Sequence, residues 1–367
     1  MRVVVAPDSF KGTADAATVA AAIADGWRTV RPADVAPLPM ADGGEGTLDA
    51  LAAAPDARRH LVTVTGPDGR EVEAAWLELP GPDGPVGVVE LASTSGIILI
   101  DELAPLTAHT RGFGQAIAAA LDAGVHSLLL AIGSSCSTDG GAGALAALGA
   151  RLLDTDGSPV ADGGGGLASL QALDLSGLRS LPPGGARVLS DVTSPLIGPA
   201  GAAAVFGPQK GAGPEDVVRL DAALANLARV AAEAGRDADP TAPGAGAAGG
   251  TGFGLALWGA TLGSGAAAVA DAVGLDAALA GADLMVTGEG AYDGQSDAGK
   301  VVSEVRRRAA AAHVPVALVA GRVDAPTDAF ASAVSLTELA GSGEAAMAQT
   351  LRWAREAGAE LARRLPA

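Results

Sequence analysis

The sequence predicts an α/β protein in which a parallel-sheet domain is assembled from both ends of the chain and interrupted by a second, inserted α/β domain. Three observations predict it. Apolar runs alternate with alanine-rich stretches of helical spacing near the N-terminus, and again from about residue 282. The alternation lapses in the middle, first into a β-meander and later into a glycine-rich region. Four apolar runs end in loops of aspartate and glycine, the place where open α/β sheets bind ligands. The expected division is a discontinuous domain over 1–59, 105–149 and 280–367, with the inserted domain over 60–104 and 150–279.

In chain order, RVVVA (2–6) reads as a buried strand running into PDSFKG (7–12). Thr13 is placed to cap a helix over 14–30, whose apolar positions Ala16, Val19, Ala20, Ile23 and Trp27 follow a helical period. A strand over 35–40 enters ADGGEGT (41–47), and a helix is expected over 44–53. From His60, three strand-like runs separated by Pro-Asp-Gly turns predict a β-meander. A helix over 110–123 leads to a strand over 127–132, the loop SSCSTDGGAG (134–143) and a helix over 140–148. The middle carries a strand over 187–191, a helix over 214–234 and a run, PTAPGAGAAGGTG (240–252), that reads as flexible. Glycines over 162–166 read as a surface loop. In the tail, strands over 283–287, 316–320 and 335–338 alternate with helices over 299–312 and 343–364, and DLMVTGEG (283–290) runs into AYDGQSDAGK (291–300).

Composition narrows the function. The chain has 367 residues, and 42 acidic side chains against 24 basic ones give a net charge of −18. Such a surface disfavours nucleic acid and anionic lipid, so an anion site needs local cations and N–H donors. A single cysteine, Cys136, excludes an internal disulfide and fits a reducing, cytoplasmic setting. No apolar stretch is long enough to span a bilayer, and no signal segment is expected at the N-terminus.

The loops hold the candidate chemistry. Asp8, Ser9 and Lys11 share the first, and Lys11 offers a mobile cation for a carboxylate or phosphate. Asp42 and Glu45 frame a double glycine; an acid in a first helical turn also suits the helix dipole on its own. Asp139, Gly140 and Gly141 follow a strand and precede a helix, a ready anion site. No Walker sequence and no dinucleotide fingerprint occurs. Cys136 has no neighbouring histidine base and reads as a packing residue. Asp191 ends an apolar run, Lys210 lies between Pro208 and Gly211, and Glu289 and Asp293 flank Gly290 with Lys300 beyond. The four histidines, His60, His109, His126 and His313, lack metal-ligand spacing. The carboxylates suit Mg²⁺, which prefers oxygen ligands and phosphate oxygens.

PDSFKG, PMADGGEGT, IGSSCSTDGGAG, DVTSPLIG, VFGPQKGA and TGEGAYDGQSDAGK occur in this order across nearly the whole chain. Together they resemble the bacterial type I glycerate kinase family. The resemblance implies a flavodoxin-like, doubly wound parallel sheet interrupted by a second α/β domain. It also implies an ATP- and Mg²⁺-dependent kinase of D-glycerate that makes mostly 2-phosphoglycerate. It places Asp8, Ser9, Lys11, Asp42, Glu45, Asp139, Asp191, Lys210, Glu289 and Asp293 in the cleft, and of these Asp8, Ser9, Lys11, Asp42, Glu45 and Lys210 are expected to hold the substrate. Gly133, Ser135, Gly140, Gly141, Gly288, Glu289, Gly290 and Asp293 fall to ATP. Asp139, Asp191 and Lys11 are the catalytic candidates, with Asp139, Asp191 or Asp293 reaching Mg²⁺. Three positions depart from the family pattern: Thr138 for an asparagine, Ser194 for an asparagine, and Ala291 for an arginine. The alternatives are a kinase for another small hydroxy acid and a non-catalytic hydroxy-acid sensor. The expected partners are D-glycerate and ATP, with neither nucleic acid nor membrane.

Overall fold

The computed structural model describes residues 1–236, 238–293 and 301–365. Its strands, in chain order, are β1 (Arg2–Pro7), β2 (Asp34–Pro37), β3 (Arg58–Thr65), β4 (Glu71–Leu79), β5 (Val86–Glu90), β6 (Ser127–Ala131) and β7 (Arg151–Leu153). They continue with β8 (Ala172–Asp174), β9 (Ala186–Leu189), β10 (Thr261–Gly263), β11 (Leu284–Tyr292), β12 (Val316–Val323) and β13 (Ser332–Ser335). The chain divides into two compact units. The first comprises Met1–Asp42, Asp49–Pro55 and Ser264–Ala367, and the second Gly43–Leu48 and Asp56–Gly263.

The first unit is a five-stranded sheet in the order β13-β12-β11-β1-β2, every neighbouring pair parallel. Numbered by appearance within the unit, this is the 2-1-3-4-5 order of flavodoxin-like folds, whose switch point lies between the first and third strands. That point falls between β1 and β11, where Pro7 stands opposite Gly288. Val3, Val4, Val5 and Ala6 are fully buried, as expected for a central parallel strand covered on both faces. The following helix, Ala16–Val30, is capped by Asp15, whose side chain accepts from Thr18 N, and not by Thr13. Thr13 instead donates its hydroxyl to Phe10 O in a turn that closes the first loop. The C-terminal helical stretch expected over 343–364 is broken at Gln349 into Gly343–Ala348 and Thr350–Arg364. Residues 336–338, expected in a strand, begin the helix Leu336–Ala340, capped by Ser335.

In the second unit a six-stranded sheet runs β10-β9-β6-β5-β4-β3. The predicted meander is present, with β3-β4 and β4-β5 antiparallel, but it does not stand apart. β5 pairs parallel with β6, and β6 parallel with β9. This pairing moves segment 105–149, expected in the first domain, into the second unit. Residues 264–279 go the other way. Arg308, only 7% exposed, donates to Glu304, Asp271, Asp276 and Ala267 O, which ties that segment to the helix Val301–Ala311. Residues 43–48 also differ from expectation: Gly133 N donates to Gly43 O and Leu48 N to Glu90 Oε2. The run over 240–252 is not flexible. It leads into a buried helix, Ala247–Trp258, whose residues 248–250 take left-handed backbone and press on the loop after β6. Gly163 and Gly164, read as surface, are buried too. Among the described residues no helix is long and apolar enough to cross a membrane.

The helices Ala16–Val30 and Thr350–Arg364 pack backbone to backbone at two glycines. A Cβ on Gly26 would lie 1.7 Å from Arg355 O, and one on Gly358 would lie 2.0 Å from Ile23 O. In an exposed helix a glycine-to-alanine change gains about 1 kcal/mol from propensity. Here it forces the helices apart. Gly26→Ala is expected to destabilise the chain by about 1–3 kcal/mol or more in urea unfolding. An unchanged or raised midpoint would refute this packing.

Candidate active site

At the switch point of the first unit lies a pocket of about 460 Å³. The loop after β1 supplies Asp8, Ser9, Phe10 and Lys11, the end of β2 leads to Asp42, and β11 contributes Glu289, Gly290, Ala291 and Asp293. Gly321 and Arg322 of β12 and Leu336, Thr337, Gly343, Ala346, Met347 and Thr350 form the rest. Phe10 is buried and braces the loop. Lys11 is largely exposed, its Nζ 4.0 Å from Asp42 Oδ2. The expected substrate and ATP residues therefore mix in this unit: Asp8, Ser9, Lys11 and Asp42 stand in one pocket with Glu289, Gly290 and Asp293. Gly288 is buried in β11, where a Cβ would strike Val319 O at 2.1 Å, so it serves strand packing.

Asp8 is a strongly perturbed acid of the pocket. It keeps some surface open to the cavity yet is walled in by protein. That burial, with the Asp42 and Glu289 charges nearby, pushes its carboxyl up to about 7, against the opposing pull of Ser9 N–H and Lys11. The Ser9 N–H donates to Asp8 Oδ1 at 2.6 Å. A carboxyl whose folded value is raised holds its proton better folded than unfolded. Native stability is therefore lost as pH climbs from about 4 to about 7. Asp8→Asn removes that dependence and keeps an oxygen for Ser9. In EDTA, without nucleotide, the variant should match the parent at pH 4 and exceed it by on the order of 2 kcal/mol at pH 8. Parallel melting curves for the two proteins across this range would show that Asp8 ionises normally.

The second unit presents a different cluster at the loop after β6. Asp139 is fully buried. Its Oδ2 accepts from Thr110 N at 2.8 Å, Thr110 Oγ1 at 2.8 Å and Gly143 N at 3.1 Å, and its Oδ1 from Gly141 N at 3.1 Å. The anion expected at this helix start is thus the chain's own carboxylate. The helix, Ala142–Ala147, is also short. Gly140 and Gly141 use their N–H groups within the chain, on Gly249 O and Asp139 Oδ1. A Cβ on Gly140 would meet Leu227 at 2.5 Å, and one on Gly141 would meet Gly254 Cα at 3.2 Å. Gly133 lies against Gly44 Cα, 2.4 Å from its notional Cβ. An amide in place of Asp139 would turn N–H groups toward N–H groups. Asp139→Asn is therefore expected to cost about 2–4 kcal/mol in urea unfolding. A variant of parental stability with kcat down about 10²-fold would restore the catalytic expectation for this residue.

Lys210 is buried, not solvated. Its Nζ donates to Ser135 Oγ at 2.8 Å and to Ser137 O at 2.5 Å. Burial lowers its pKa to about 8, with Cys136 and Asp139 drawing it back up. Cys136 Sγ donates to Ser95 O, and burial pushes its thiol up to about 12, so the packing reading of this cysteine suits its surroundings. The Thr138 side chain, at one of the departures from the family pattern, is fully buried. Ser194 uses its carbonyl to accept from Gly246 N. Asp191 is half-buried just after β9, and Glu45 is exposed. Lys300 lies outside the described residues. His60 stacks on Trp76 and contacts Glu78, a structural setting.

Several pocket residues carried no sequence signal. Arg322 stands in register with Ala291 across β11 and β12, so a guanidinium lines the pocket from the neighbouring strand and pairs with Asp324. Leu336, Ala346 and Met347 enter from helices whose apolar spacing reads equally well as core. Outside the pocket, Glu90, 6% exposed beneath residues 43–48, likewise sits at the end of an ordinary-looking strand. Among the described residues no three His, Cys, Asp or Glu side chains are arranged to hold a metal by themselves.

The model of the glycerate kinase family matches residues 3–366. The chain belongs to the glycerate kinase family. A glycerate kinase of Bacillus subtilis (strain 168) is 43% identical over 334 residues, covering 90% of this chain and 87% of that one. A glycerate 2-kinase of Escherichia coli (strain K12) is 42% identical over 326 residues, covering 88% and 85%. The crystal structure of a candidate glycerate kinase 2 from Salmonella typhimurium LT2 superposes with a TM-score of 0.86 at 40% identity, covering 99% of this chain and 97% of that one. The α/β architecture of a glycerate kinase structure is therefore that of this chain.

Proposed function

We propose that this member of the glycerate kinase family transfers the γ-phosphoryl group of ATP to the 2-hydroxyl of D-glycerate. The observation that carries the reading is the cluster at the β1–β11 switch point, where Lys11 meets Asp8, Asp42 and Glu289 in one pocket. Phosphoryl transfer asks for alignment and charge neutralisation more than for covalent help, and this cluster offers both. Lys11, mobile at the open end, is the proposed cation for the acid's carboxylate. Asp8, with a carboxyl near 7, is suited to take the hydroxyl proton as oxygen attacks the γ-phosphorus and the bond to ADP breaks. Asp139 is assigned to support of its loop, and Asp191 is the second candidate base.

The donor set also fits Mg²⁺, which binds through one or two carboxylates plus phosphate oxygens and needs no all-protein cage. Glu289 and Asp293 are its proposed carboxylates. The bound ion would neutralise charge on the transferring phosphoryl group. Ala291, where the family pattern has arginine, favours one second reading, a kinase for a related hydroxy acid.

One coupled assay separates these outcomes. With ATP, Mg²⁺ and D-glycerate the protein should release ADP, and enolase alone should then convert the product to phosphoenolpyruvate. A signal that requires phosphoglycerate mutase would instead identify the 3-phosphate. ADP release with another hydroxy acid and none with D-glycerate would shift the assignment to the second reading.

A further inference from the structure

The switch-point pocket is built for more than a three-carbon acid. Its lining combines carboxylates and Lys11 with the apolar side chains of Leu336, Ala346 and Met347. Leu336 and Ala346 are buried, and Met347 is 63% exposed, which leaves its side chain accessible to a ligand. D-Glycerate carries oxygen on every carbon and has nothing to lay against such a wall. A purine ring does: it is flat and apolar on its faces, and a methionine thioether packs well on aromatic rings. The hydroxyls flanking this wall are committed elsewhere. Thr337 Oγ1 donates to Gly321 O at 2.8 Å, and Thr350 Oγ1 is shared between Ala346 O and Met347 O. What remains is apolar contact and shape, the usual lining of a base site.

We infer that this pocket is the nucleotide seat, with the base against Met347, Ala346 and Leu336 and the polyphosphate toward Glu289 and Asp293, the carboxylates proposed for Mg²⁺. The inference rests on the kinase reading above and goes beyond it, because it moves nucleotide binding away from the loop after β6. It also explains the volume of about 460 Å³, most of which glycerate alone would leave empty.

The test is calorimetric titration of the intact chain with Mg·ADP and with Mg·tripolyphosphate, which has phosphates but no base. Met347 is on the surface, so its replacement spares the core. Met347→Ser is expected to weaken Mg·ADP about tenfold and to leave Mg·tripolyphosphate as in the parent, while Met347→Leu stays within about twofold for both. Equal weakening of both ligands, or an unchanged affinity for Mg·ADP, would overturn the seat. So would a rise in the KM for D-glycerate in place of the loss of nucleotide affinity. A parent chain that phosphorylates D-glycerate but whose Mg·ADP affinity ignores Met347→Ser loses the seat and keeps the kinase reading. A parent without turnover loses the kinase reading, while the titrations still decide the seat.

Discussion

The pairing of β1 with β11 is the constraint on which the first unit depends. The two strands are 281 positions apart, yet they lie in register from Val3 opposite Leu284 to Pro7 opposite Gly288. This one ladder brings the loop of Asp8 and Lys11 beside Glu289 and Gly290. It also sets the strand order that leaves a crevice at their carboxyl ends. Parallel pairing gives no freedom to shift: a one-residue slip would turn every side chain of the buried strand to the other face. The pocket's chemistry is thus fixed by the register of an apolar ladder whose side chains never reach it.

How far the fold could be read from the residues follows from the range of the forces involved. Strand β1 and the helix after it were legible, because apolar period and burial are local properties. The four Asp/Gly loops were legible too, since glycine and aspartate punctuate chains wherever they occur. The assignment of β6 was not. Its apolar run would suit either sheet, and only its pairing with β5 and β9 decides the matter. Likewise nothing near Arg308 in the sequence announces that it gathers Asp271 and Asp276 as well as its helical neighbour Glu304. The cap of the first helix was misplaced by two residues, because Thr13 is as good a local candidate as Asp15 until Phe10 O claims its hydroxyl.

The site was legible as a set of loops, of which the sheet brings Asp8, Ser9, Lys11 and Asp42 into one pocket with Glu289, Gly290 and Asp293. The residues expected to hold substrate and nucleotide were sorted by loop, whereas the sheet sorts them by strand neighbour. The loop after β6 had every outward mark of a phosphate cradle, and the same marks serve a buried turn. Glycines that let a phosphate approach a backbone also let one backbone approach another. Helix N–H groups that would greet a phosphate also greet an aspartate. At Asp139 the second alternative of each pair is realised, since a side chain already inside the fold costs less to position than a ligand drawn from water.

Charge explains why a cation would suit the pocket. The chain carries −18 overall, with Asp8, Asp42, Glu289 and Asp293 gathered beside the exposed Lys11. A bare polyphosphate approaching such a surface meets repulsion screened only over roughly 8–10 Å. Without a cation the cluster relieves itself by keeping Asp8 protonated up to about neutral pH. A divalent ion carried in on the nucleotide would reverse both effects. It would cancel the repulsion that opposes binding and lower the cost of ionising Asp8.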